Sequence, residues 1–202
     1  MSAALGVSRM TIRQALLEMT ADGTLYTRTG KGTYVAERKI EQPLQRLSGF
    51  TQDMLARGMR PASRVLSQEL LPAPFELAQA LGIAPGSEVV RIRRLRLADD
   101  HPVALESAHL SHALCPGLLD HDLAETSLYE VLRSRYGVTL GSARQTIEAS
   151  QAVAEERQLL ELPLRVPVLR IHRLTSGTDG RIVEFVRAAY RGDRYQLNVE
   201  LR

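Results

Sequence analysis

Ile12, Ala15, Leu16 and Met19 recur at the i, i+3, i+4 and i+7 spacing of an amphipathic helix, with Ser8 in front as its N-cap and Gly23 behind as its end. The same spacing turns Arg9, Met10, Arg13 and Gln14 away from the apolar stripe. After the helix, strand-like runs at 24–28 and 33–35 flank a tight turn at Thr29-Gly30-Lys31-Gly32, which predicts a two-stranded wing. Residues 36–47 are polar, hold no sustained period and contain Pro43, as a linker does. Beyond Leu47, Thr51 is placed to cap a helix ending at Gly58. Strands are predicted at 63–71, 88–97, 103–110, 140–149, 168–176, 182–190 and 196–201, and helices at 75–81, 128–136 and 153–161. Strands that follow strands through short turns, with helices grouped between them, predict an α+β fold on an antiparallel sheet.

The 202 residues are 44% apolar and 24% charged, enough for a packed core and unlike a disordered or coiled-coil chain. No apolar run approaches the roughly 20 residues of a membrane span, and residues 1–9 lack the order of a secretory signal. A cytoplasmic protein with no membrane partner is expected. Cys115 is the one cysteine and the five histidines are scattered, so neither a metal site nor a cofactor is expected. The net charge of +3 lies entirely in the first 39 residues, where Arg9, Arg13, Arg28, Lys31, Arg38 and Lys39 face Glu18, Asp22 and Glu37. A basic segment ahead of a charge-balanced body fits a nucleic-acid-binding module joined to a sensing domain, although a solvated basic tail has the same charge.

In the body, Val90, Ile92, Arg94 and Arg96 share one face of a strand, so two arginines follow two core residues inward. Buried guanidiniums need anions, and a pair at alternate positions suits a phosphate, sulfate or carboxylate. The alternative is that they reach solvent at the sheet end or pair with Glu106. A weak repeat is also present. Arg91-Ile92-Arg93-Arg94-Leu95, a turn at Asp99-Asp100 and Glu106 echo Arg170-Ile171-His172-Arg173-Leu174, a turn at Asp179-Gly180 and Glu184, which would bring the two glutamates to related positions. A three-residue turn over 99–101 is expected, placing Arg94 opposite Glu106 and Arg96 opposite Ala104. A two-residue turn would move Glu106 to the other face, because a one-residue slip reverses every side chain.

The run Leu5-Gly6-Val7-Ser8-Arg9-Met10-Thr11-Ile12-Arg13-Gln14-Ala15-Leu16, with Gly23-Thr24-Leu25-Tyr26 and Gly30-Lys31-Gly32-Thr33-Tyr34-Val35, resembles the winged helix-turn-helix of GntR-family bacterial transcription regulators. That resemblance implies DNA contacts from Ser8, Arg9, Thr11 and Arg13 on the recognition helix and from Gly30 and Lys31 on the wing. Family members usually carry a first helix and most of a second before this point. A truncated module over 1–36, with Ile12, Leu16 and Met19 uncovered, is therefore expected.

Residues 45–201 resemble the UTRA effector-binding domain of the HutC branch, a fold akin to chorismate lyase. The match rests on Phe50-Thr51-Gln52-Asp53-Met54, Arg57-Gly58, Arg94-Leu95-Arg96, Ala98-Asp99, Pro102-Val103-Ala104-Leu105-Glu106, Ser127-Leu128-Tyr129 and the run from Glu184 to Tyr190. In relatives that sense phosphorylated amino sugars, residues matching Arg94, Arg96, Ser127 and Tyr129, with the loop at Phe50 and Thr51, hold the phosphate. Residues matching Glu106, Glu184 and Tyr190 meet the sugar, while other members sense urocanate or other small acids. The resemblance implies a DNA-binding domain at 1–36, a linker at 37–46 and an effector domain at 47–202. It also implies a transcriptional repressor rather than an enzyme, with double-stranded operator DNA and a small anionic effector as partners. Two winged heads on a pseudo-palindromic site imply a homodimer formed through 45–202. Two alternatives stay open on sequence: an effector-binding dimer fragment without DNA binding, and a lyase-like enzyme using Glu106 and Glu184 as acid and base.

Overall fold

The computed structural model describes residues 6–21, 25–28, 32–35, 39–43 and 46–200. It divides into two units, Met1–Ile40 and Glu41–Arg202. In the first, helix α1 (Arg9–Ala21) starts where the Ser8 hydroxyl accepts the Thr11 backbone N–H at 3.1 Å, satisfying one of the donors a helix start leaves over. On the apolar stripe Ile12 and Leu16 are half-buried, while Ala15 and Met19 are exposed. Strands β1 (Leu25–Arg28) and β2 (Gly32–Val35) pair antiparallel with Leu25 opposite Val35, forming the wing. Its expected contacts Gly30 and Lys31 lie outside the described residues.

The second unit is built on a six-stranded antiparallel sheet. Its strands are β4 (Pro61–Pro72), β5 (Glu88–Ala98), β6 (His101–Ser111), β7 (Leu140–Gln151), β8 (Pro167–Gly177) and β9 (Ile182–Arg191), in the order β4-β5-β6-β9-β8-β7. Helices α2 (Phe50–Leu55), α3 (Phe75–Leu81), α4 (Leu128–Tyr136) and α5 (Ala154–Leu159) complete it, with a small pair of β3 (Ile40–Pro43) and β10 (Tyr195–Asn198). Residues 40–43, read as linker from their polarity, thus form a strand. The chain runs twice through strand, helix, strand, strand: Pro61, Phe75 and Glu88 open three elements of one copy, and Leu140, Ala154 and Pro167 open their counterparts at one constant offset. Strands β6 and β9 join the copies at the centre. Among the described residues no helix is long and apolar enough to cross a membrane.

Alternation along the strands gives the sheet two different faces. On the outer face, Leu77, Ala78 and Leu81 of α3 pack with Ala73 and Val89, and separately Leu160 and Leu162 after α5 pack with Leu95, Leu105, Val168 and Ala189. The inner face carries Ile92, Arg94, Arg96, Ala104, Glu106, Ala108, Val186 and Ala188, and α2 and α4 meet it with buried Phe50, Met54, Leu128 and Leu132.

The β5–β6 hairpin corrects one expectation and keeps its consequence. The turn holds two residues, not three: Asp99 and Asp100 adopt φ of 48° and 67°, the left-handed pair of a type I′ hairpin. Arg60 fixes it, donating its backbone N–H to Asp99 Oδ1 and its Nη2 to Asp100 Oδ2, each at 2.9 Å. Alone, that turn would send Glu106 outward. A bulge at Val103, where the pairing steps from Leu97–Pro102 to Arg96–Ala104, inserts one residue and restores Arg94 opposite Glu106. In the second copy, Arg173 matches Arg94 but faces Val186, and Glu184 lies opposite Thr175. The two glutamates share a face but not the equivalent rung expected from the repeat. Another correction concerns α2, whose N-cap is Gly49 rather than Thr51.

Because the two outer-face clusters share no residue, Leu81→Ala and Leu160→Ala should each lower unfolding free energy by about 2–5 kcal/mol. Their effects should add within about 0.5 kcal/mol in the double variant. Urea denaturation of the single and double variants measures both numbers.

Candidate functional site

A cavity of about 550 Å³, counted out to its open mouth, lies between the inner sheet face, α2 and the start of α4. All nine residues assigned to effector binding from sequence line it: Phe50, Thr51, Arg94, Arg96, Glu106, Ser127, Tyr129, Glu184 and Tyr190. Gln42, Ser48, Gly49, Asp53 and Arg173 line it as well and were not singled out. The repeat carried a signal for Arg173, which holds in the second copy the place of Arg94. Gln42 carried none, because β3 is four residues long within a polar stretch.

At the floor, Arg94 is 1%, Arg96 6% and Glu106 7% exposed. Arg94 Nη2 and Arg96 Nη2 both donate to Glu106 Oε1, at 2.6 and 2.8 Å, and Arg96 Nη1 donates to Ser63 Oγ at 2.7 Å. The Phe50 ring lies over Arg96 with its centroid 5.0 Å from Cζ. Burial alone would push the Glu106 carboxyl up, but the guanidiniums of Arg96 and Arg94 outweigh it and hold the pKa at about 2. One carboxylate thus serves two guanidiniums, leaving an excess positive charge. Arg94 Nε and Nη1 and Arg96 Nε are buried without a hydrogen-bond partner. An unmet buried donor costs about 1–3 kcal/mol, so this arrangement favours an anion that can accept from it.

The opposite wall is built from Tyr129, Glu184, Arg173 and Tyr190. Tyr129 Oη donates to Glu184 Oε2 at 2.7 Å. Burial, with the nearby Glu106 charge, raises the Glu184 pKa, and burial together with Glu184 raises that of Tyr129. Arg173 donates from Nε to Gln145 Oε1 at 2.7 Å, and Tyr190 is pushed up to about 12 by burial and by Glu106. The loop before α2 lies flat against this wall. A Cβ on Gly49 would come 2.9 Å from Tyr129 Cδ2, so only glycine lets the backbone approach that ring.

In the first unit, Ser8 just before α1 and Arg9, Thr11 and Arg13 in its first half are exposed, with Met10 73% exposed among them. The Ser8 and Thr11 hydroxyls are 2.8 Å apart and hydrogen-bonded. A helix presenting two unburied arginines ahead of a two-stranded wing, followed by a sheet domain with an arginine-lined cavity, is the anatomy of a DNA-binding regulator. The chain belongs to the GntR family of bacterial regulatory proteins: that family's model matches residues 1–35, and the UTRA domain model matches residues 56–196.

The chain is 40% identical over 190 residues to the HTH-type transcriptional repressor NagR of Bacillus subtilis (strain 168), covering 94% of this chain and 78% of that one. It is 31% identical over 196 residues to the mannosyl-D-glycerate transport/metabolism system repressor MngR of Escherichia coli (strain K12), covering 96% and 80%. The crystal structure of PhnF from Mycobacterium smegmatis superposes with a TM-score of 0.78 at 32% identity, covering all of this chain and 88% of that one. These relatives are named as transcription regulators, and the chain is a regulator rather than an enzyme.

The low Glu106 pKa fixes the sign of a pH effect. Stability from this carboxylate is fully present above its ordinary value of 4.5 and is lost as the pH falls toward about 2. Glu106→Gln, which leaves two buried guanidiniums without their counter-charge, should cost on the order of 3–5 kcal/mol at pH 7. The gap between variant and native protein should narrow steadily as urea unfolding is repeated from pH 4.5 down to pH 2.

Proposed function

We propose that this protein is a repressor whose operator affinity is set by a small anionic metabolite, a phosphate or carboxylate bearing hydroxyl groups, bound in the cavity of the second unit. One observation carries the reading: Arg94 and Arg96 are almost wholly buried, line the cavity and hold three donor nitrogens that no protein atom accepts from. The anionic end of the effector accepts from these guanidiniums, and Ser127 and the loop at Phe50 and Thr51 close around it. Glu106, Glu184 and Tyr190 meet the hydroxyl-bearing end. The name of MngR supports this class, since mannosyl-D-glycerate joins a carboxylate to a hydroxyl-rich ring. Residues 1–36 bind operator DNA through Ser8, Arg9, Thr11, Arg13, Gly30 and Lys31, residues 37–46 join the units, and a homodimer presents two such heads. Effector control is linkage: a ligand preferring the arrangement that fits DNA poorly weakens operator binding by the factor by which DNA weakens ligand binding.

A thermal-shift screen of inorganic phosphate, sugar phosphates, glycerate and urocanate tests the site, because a ligand of the native state alone raises its melting temperature. At least one of these acids should raise it in the native protein and none in Arg96→Ala. An equal shift in the variant removes the assignment. For DNA, Arg13→Ala should cost about 1–3 kcal/mol on the operator and much less on unrelated sequence, whereas Lys31→Ala should weaken both alike. Fluorescence anisotropy on the two duplexes separates these outcomes.

A further inference from the structure

Gln42 lies two residues beyond the boundary of the first unit, yet it is 4% exposed and forms part of the cavity wall. Its carboxamide is held at both ends: Nε2 donates to Asp53 Oδ2 at 3.1 Å, and Oε1 accepts from the Tyr195 hydroxyl at 3.0 Å. Each partner leads to the cavity. Asp53 lines it from α2 and also accepts from Ser48 Oγ. The Tyr195 ring packs at a tilt against that of Tyr190, another wall residue, with centroids 4.4 Å apart.

The neighbouring Glu41 fixes the backbone of the same strand. Its carbonyl accepts from Arg57 Nε at 2.7 Å, and its carboxylate accepts from Gln196 Nε2 and Asn198 Nδ2 of β10, each at 3.1 Å. Arg57 turns back to α2, donating from Nη1 to the Asp53 carbonyl. A two-stranded pair of four-residue strands is marginal by itself, so these side-chain bonds decide whether β3 stays paired with β10.

We propose that Gln42 reports occupancy of the cavity to the segment joining the two units. A ligand that draws Asp53 or Tyr190 toward itself breaks or resets the two hydrogen bonds of Gln42, and with them the pairing of β3 and β10. Strand β3 is then the element with two arrangements that both ligand and DNA bias. This rests on the effector-site reading above and supplies its route.

The test is hydrogen–deuterium exchange on the full 202-residue chain, with and without saturating inorganic phosphate as the probe, beside a calorimetric titration of phosphate. In the native protein, phosphate should bind and alter exchange at residues 39–43 and 195–198. Tyr195→Phe keeps the ring on Tyr190 and removes only the hydroxyl. It should bind phosphate as the native protein does and lose the change at 39–43. Gln42→Leu should lose that change at saturation whatever its affinity. Phosphate binding with no response at 39–43, or with the native response intact in Tyr195→Phe, overturns the proposal and leaves the effector site standing. Absence of binding to the native protein by phosphate and by every other acid of the thermal-shift screen, matching Arg96→Ala, overturns the effector site and this route with it; where another acid of the screen binds and phosphate does not, that acid replaces phosphate as the probe with the same expected outcomes.

Discussion

Glu106 stands between the guanidiniums of Arg94 and Arg96, one carboxylate oxygen accepting from both, and much of the second unit is arranged around that contact. Charges this deep are tolerated only with a counter-ion and hydrogen bonds in place. The sheet provides them from adjacent strands, with Glu106 directly opposite Arg94 and Ser63 of β4 opposite Arg96 as a further acceptor. Phe50 covers Arg96 from above, which ties α2 to the same triad. The triad is neutralised only in part, and that incompleteness underlies the proposed anionic effector.

The internal duplication shows how such a site arises within a symmetric frame. Two copies of one strand–helix–strand–strand unit place Arg94 and Arg173 alike, and both copies use their helix to cover the outer face. The symmetry is broken on the second strand of each hairpin. Glu106 opposes Arg94, whereas Val186 opposes Arg173 and Glu184 lies two positions nearer the turn, beside Tyr129. A wall of two arginines around one carboxylate and a wall with a tyrosine–carboxylate hydrogen bond result from the same scaffold.

Much of this was legible in the chain. Helices α3 and α4 end at Gly82 and Gly137, both at left-handed φ, and period and punctuation together marked their limits. The shared face of Arg94 and Arg96 followed from strand alternation, and the cavity residues followed from family resemblance. What stayed hidden has physical reasons. The Val103 bulge has no side-chain signature, so the right register was reached through the wrong turn length. The close approach of Gly49, the cap of α2, to the Tyr129 ring joins residues remote in sequence and leaves no local signal. Strand β3 is held by Asp53, Arg57 and Tyr195 rather than by its own hydrophobic pattern, and a polar segment held by distant partners reads as linker.

The hairpin of β5 and β6 gives chain length itself a chemical meaning. Loop tips usually absorb insertions and deletions one residue at a time. Here the Asp99-Asp100 turn and the Val103 bulge together set a parity: between Arg96 and Ala104, losing or gaining one residue exchanges the inside and outside of the β6 strand, while two leave them alone. The identity of Glu106 would survive an odd change and its carboxylate would still leave the cavity. Within this hairpin, counting modulo two is as binding a requirement as the charges on the residues.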